Sequence, residues 1–91
     1  MSTYVISYDL NTPGKDYRSL YAALEQYPTH WRYLDSNWLI ETTDTAVQIW
    51  DKLAKKLDAS DRLFIARLEG EAAWTGFPAS GSKWFKARLE R

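Results

Sequence analysis

The residues with the most chemical content are Tyr8-Asp9-Leu10-Asn11, running into Pro13-Gly14-Lys15-Asp16-Tyr17. Asp9 follows a β-branched and aromatic run, Thr3 to Tyr8. A carboxylate in that place, set against its copy by a two-fold axis, would supply the paired hard oxygen ligands that Mg²⁺ or Mn²⁺ prefers. Such an ion activates water against a phosphodiester. The same residues also have a plain structural use, because Asp and Asn beside Pro-Gly fold loops through side-chain to backbone hydrogen bonds. Both readings stand on chemistry alone, and the loop is the commoner one, since a lone Asp is a weak motif. Tyr8, Asn11 and Ser36 are candidate accessory groups; for Ser36, between Asp35 and Asn37, a hairpin turn is the more ordinary role. Lys15, Arg18 and Arg32 are candidate nucleic-acid contacts that would form a local phosphate-binding patch. His30 is the only His and reads as a strand residue, and Gly81-Ser82-Lys83 lacks the glycine spacing and preceding strand of a phosphate loop.

These groups need elements to hold them. The apolar run from Thr3 to Tyr8, ended by Asn11, Pro13 and Gly14, predicts a strand. Asp16 can cap a helix in which Tyr17, Leu20, Tyr21 and Leu24 share one face, and Pro28 stops it. His30 to Leu34 alternates, with Trp31 and Tyr33 on one side, and Asp35-Ser36-Asn37 turns the chain into a returning strand, Trp38 to Thr42. Thr45 and Gln48 have capping-box spacing ahead of a second helix whose apolar stripe is Ala46, Ile49, Trp50, Leu53 and Leu57, with Lys52, Lys55 and Lys56 on its solvated side. A fourth strand follows over Arg62 to Leu68. The fold class is α+β, a ferredoxin-like βαββαβ core over residues 1–70 with a four-stranded antiparallel sheet and two helices on one face. Residues 71–91 are a C-terminal extension, in which Ser80-Gly81-Ser82 reads as a short flexible joint.

Composition narrows the classes. The 91 residues hold no Cys, so there is no disulfide framework and no cysteine-based zinc site, which fits a reducing, cytoplasmic location. Twelve Lys and Arg balance twelve Asp and Glu, which argues against a general nucleic-acid coat protein. No apolar run reaches the ~20 residues of a membrane span, and Met1-Ser2-Thr3 enters a strand without a basic leader. Five Trp and six Tyr exceed what one small core needs and point to an interface. A first strand apolar on both sides asks for cover on both faces, and two helices supply one layer. A homodimer joined through the helix-free face is the expectation, with the Trp74-to-Phe77 segment packing on the partner, as a strand added to its sheet edge. Base stacking on Trp31, Tyr33 and Trp38 is the competing use of those aromatics, but the RNA-recognition consensus is missing, so core or interface is expected.

Tyr4-Val5-Ile6-Ser7-Tyr8-Asp9-Leu10 resembles the opening of the CRISPR-associated protein 2 family, small ferredoxin-fold dimers whose first strand ends in a Tyr-Asp or similar pair. Ser36-Asn37-Trp38-Leu39-Ile40-Glu41 is similar to that family's third strand, and Asp61-Arg62-Leu63-Phe64-Ile65 to its lead into the fourth. The longer Tyr8-Asp9-Leu10-Asn11 with Pro13-Gly14-Lys15-Asp16-Tyr17, then Ser36 with Trp38, Asp61, and Ala72-Ala73-Trp74, looks like the SinR-like branch of that superfamily; the likeness covers about residues 4 to 76. It implies a homodimer with an aspartate pair near the axis, here Asp9. It further implies metal-dependent ribonuclease or deoxyribonuclease activity in some members and a structural role in others. The Trp-rich surface, the Asn11-Thr12-Pro13-Gly14 loop and the neutral charge depart from the spacer-integration members. Two functions are therefore expected in turn: a Mg²⁺- or Mn²⁺-dependent endonuclease, RNA ahead of DNA, in a defence, phage or toxin-antitoxin setting; or a catalytically silent dimeric scaffold that binds a protein or nucleic acid through its aromatic and C-terminal surfaces.

Overall fold

Alternation along the first strand decides which side chains meet the helices. In β1 (Ser2–Asp9), Tyr4, Ile6 and Tyr8 are buried, whereas Val5 and Ser7 are partly exposed and Asp9 is exposed. The buried set packs with Leu20 and Leu24 of α1 (Arg18–Glu25), Ile49 and Leu53 of α2 (Ala46–Ala54), and Trp38 and Ile40 of β3 (Asn37–Thr42). Fully burying a Leu or Ile contributes about 1.5–3 kcal/mol by area transfer, so this one layer supplies most of the drive to fold. β2 (Thr29–Leu34) and β4 (Arg62–Leu68) complete an antiparallel sheet of order β2-β3-β1-β4. The chain is α+β and ferredoxin-like, with a third helix, α3 (Ala79–Leu89), in its C-terminal extension. The computed structural model describes residues 1–69, 73, 75–76 and 78–89, and of residues 85, 88 and 89 the backbone alone.

Local signals account for the helix ends. Thr45 and Gln48 form the expected capping box, Gln48 N–H donating to Thr45 Oγ1 at 3.2 Å and Thr45 N–H to Gln48 Oε1 at 2.8 Å. Asp16 is not the cap residue of α1: that position falls to Tyr17, which makes no side-chain cap bond, while Asp16 Oδ1, one residue earlier, accepts the Arg18 N–H at 2.9 Å, a donor that the first helical turn leaves open.

Two further expectations fail. Ser80-Gly81-Ser82 is no flexible joint but the first turns of α3, where Gly81 is buried against Trp31: a methyl group there would collide with the indole ring. The Trp31 and Trp84 rings meet edge-on, 5.7 Å between centroids. Trp31 and Tyr33 lie on the helix-free face, beside Leu39, which has no exposed surface. The chain thus covers Trp31 on the helix-free face with α3, which the two-helix reading did not foresee. Trp50 also leaves the apolar stripe of α2 and is 51% exposed, since Ile49 and Leu53 already fill the interface with the sheet. The expected docking of Trp74 to Phe77 on a partner falls on residues outside those described. Among the described residues no helix is long and apolar enough to cross a membrane.

Candidate functional site

Strand pairing puts a charged pair at one end of the sheet. Asp9, the last residue of β1, lies opposite Arg62, the first of β4, on the helix-free face, and Ser7 lies opposite Phe64. Together with Tyr8 and Leu63, these four residues line an open hollow of about 260 Å³. Asp9 and Arg62 are register partners, yet they form no ion pair, and neither side chain has a hydrogen-bond or ion-pair partner among the described residues. Both heads face solvent. Ser7 is tied down, its hydroxyl donating to Asn37 Oδ1 across the β1–β3 ladder.

Of the other predicted site residues, only Tyr8 also borders the hollow, and its phenol is engaged elsewhere. Tyr8 points to the opposite side of the sheet, as the period of two requires; its phenol accepts from Trp38 Nε1 at 3.0 Å and donates to the Asp35 carbonyl at 3.3 Å. Burial pushes that phenol above its ordinary value, with the Trp38 N–H partly opposing. Asn11 is a loop-builder: its amide donates to the Asp9 and Ser60 carbonyls at 3.3 and 3.1 Å. Ser36 sits exposed in the β2–β3 turn, where its carbonyl accepts the Tyr8 N–H at 3.1 Å. Trp38, buried on the helix side, is separated by the sheet from Trp31 and Tyr33, so the three form no common stacking platform.

The three basic residues are scattered and engaged. Lys15 Nζ pairs with Asp58 at 3.0 Å, and Arg18 with Asp16 through a 2.7 Å Nε–Oδ2 bond. Arg32 lies on the helix side, its guanidinium 4.7 Å from the Tyr21 ring centroid and 5.7 Å from that of Trp38, and bonds the Asp35 carbonyl through Nη2 at 2.6 Å. Nε donates to the same carbonyl oxygen at 2.9 Å, and this forked contact and the rings beneath it hold Arg32 in place.

Asp61, reached in sequence only through family resemblance, is the hub of the loop behind Asp9. Its Oδ1 accepts from the Tyr17 hydroxyl at 2.6 Å, the Asn11 N–H at 2.8 Å and the Thr12 hydroxyl at 3.2 Å, while Oδ2 accepts the Asp58 N–H at 2.9 Å. Desolvation opposes its ionisation, but these donors prevail and hold the carboxyl at about 2. The segment after β1 is thereby tied to the one before β4, which fixes where Asp9 and Arg62 emerge. Composition gave no sign of Arg62; it could be found only by aligning the end of β1 with the start of β4.

A single chain brings one carboxylate to the hollow, and no group of three His, Cys, Asp or Glu gathers among the described residues. Asp9 fits a hard divalent ion in donor type and freedom, but a two-carboxylate arrangement requires a second copy. Comparison of the chain with protein-family models, curated proteins and solved structures finds no match.

Proposed function

We propose that the chain acts as a homodimer in which Asp9 from each protomer holds Mg²⁺ or Mn²⁺ for hydrolysis of a phosphodiester, RNA ahead of DNA. The observation that supports it is the position of Asp9: an exposed carboxylate on the helix-free face, with no side-chain partner among the described residues. The likeness of Tyr4 to Leu10 to the CRISPR-associated protein 2 family points the same way. At ~3.3 Å per residue and ~4.8 Å between strands, β1 and β4 offer a footprint of roughly 250 Å². A stable interface needs about 800 Å² per partner, so the contact continues round the β4 edge onto Val47 and Trp50, which are exposed and share a hollow with Phe64.

When bound, the ion would polarise the phosphoryl group and lower the pKa of water. Asp9 would bind it, Arg62 would take the charge of the scissile phosphate, and the Asp61 network would keep both side chains aimed at the hollow. A second reading, a silent dimeric adaptor, draws support from the engagement of Lys15, Arg18 and Arg32 in contacts within the chain. The test is divalent-dependent cleavage of single- and double-stranded RNA and DNA by wild type and Asp9→Asn. Cleavage that needs Mg²⁺ or Mn²⁺ and falls at least ~100-fold on substitution is expected. Equal cleavage by both proteins, or none by wild type on any substrate, would overturn the nuclease reading.

A further inference from the structure

On the opposite side of the sheet from Asp9, the end of α1, the end of β3 and one face of α2 enclose a hollow of about 530 Å³. That is within the range of small-ligand sites. Three of its lining residues are Lys52, Lys55 and Lys56, which the i, i+3, i+4 spacing puts on one face of α2 and the turn that follows it. Among the described residues Asp44 is the one carboxylate in the lining. It is already shared: Lys52 Nζ lies 2.6 Å from its Oδ2, and the Tyr27 phenol donates to the same oxygen at 3.3 Å. Three ammonium groups against one carboxylate leave two positive charges unbalanced, in a chain whose formal net charge is zero. Lys55 and Lys56 have no hydrogen-bond or ion-pair partner through their side chains among the described residues.

Lysines near a helix C-terminus stabilise the dipole, but that role needs no concave wall and no second helix opposite. Here α1 supplies one, with Gln26 offering an amide. Like charges four residues apart on a helix repel, so the cluster costs the free protein stability that an anion would restore. Lys is a point charge suited to phosphate, and buried Tyr27, 7% exposed, offers no open ring for a base to stack on.

We infer that this hollow binds the phosphate group of a small phosphorylated ligand, with Lys55 and Lys56 as its charge partners. The site is independent of the Asp9 proposal. Backbone amide NMR shifts, followed during titration with pyrophosphate, AMP and a short single-stranded RNA, test it. Saturable shifts confined to Gln26 and residues 52–56, weakened about tenfold or more in Lys55→Gln/Lys56→Gln and retained in Lys15→Gln and Asp9→Asn, are expected for pyrophosphate or AMP. If RNA moves the same amides and loses affinity in the same double variant, the phosphate is also accepted from a nucleic acid. No saturation by pyrophosphate or AMP up to about 10 mM, or equal binding by the double variant, would overturn the inference. The double variant relieves the like-charge repulsion, so a melting temperature at or above that of wild type verifies that it is folded.

Discussion

The two halves of the helix-free face are built from the same sheet and treated differently. On β2, Trp31 lies beneath the chain's own α3, with Gly81 giving the indole room, Trp84 meeting it edge-on and Tyr33 beside it. Over β1 and β4 nothing in the described chain covers Phe64, which is 62% exposed, and the charged ends Asp9 and Arg62 open to solvent. Monomeric proteins rarely leave contiguous apolar surface beside an open strand edge without a use for it. One half is closed for stability. The other stays open to solvent among the described residues.

Removing the covered half's anchor should have the largest effect. Trp31→Ala deletes the ring that seats α3, and large-to-small changes of fully buried aromatics cost 3–5 kcal/mol, so a half-buried Trp should cost about 2–3 kcal/mol in urea unfolding. A cost no greater than that of Phe64→Ala would mean that the halves do not differ. Gly81→Ala is sharper because two principles predict opposite signs. Helix propensity alone would stabilise by up to about 1 kcal/mol, whereas the collision with Trp31 should destabilise by about 1–2 kcal/mol, as overpacking does. A raised melting temperature would contradict the packing of α3 on Trp31.

Behind the bare half, Asp61→Asn should lower stability at neutral pH by weakening the loop network. The sign follows from the depressed carboxyl, at about 2 when folded against ~3.9 when unfolded. Its contribution is fully present above the unfolded value and is lost as pH falls from about 4 towards about 2. The stability gap between wild type and Asp61→Asn should therefore close over that window, and a gap constant from pH 7 to 2 would contradict the network. Phe64→Ser should have the smallest effect on the isolated fold, within about 0.5 kcal/mol as at other exposed positions, while weakening self-association.

Much of the helix side was legible because it obeys short-range rules. The Thr45–Gln48 box and the Leu20–Leu24 spacing are local signals that the structure repeats, whereas β1, read as apolar on both sides, buries Tyr4, Ile6 and Tyr8 against the helices and leaves Val5 and Ser7 partly exposed. The seat of α3 was not legible, because Gly81 as a contact with Trp31, fifty residues earlier, is a tertiary fact that overrides what Ser-Gly-Ser suggests locally. At the candidate site, Asp9 was found from its place at a strand end, but grouping it with Tyr8 ignored the alternation that sends neighbouring side chains to opposite faces. Arg62 was missed because its relation to Asp9 exists only once β1 and β4 pair. The lysines of α2 looked like an ordinary solvated face because the wall opposite them belongs to α1.

The most direct test of the account is the association state of the bare half, measured by sedimentation velocity on wild type and Phe64→Glu from about 1 to 100 µM, across the affinity range of ordinary dimers. If the bare half is a dimer interface, wild type sediments as a dimer and Phe64→Glu as a folded monomer. A wild-type monomer across the range, or a Phe64→Glu dimer as tight as wild type, would contradict it.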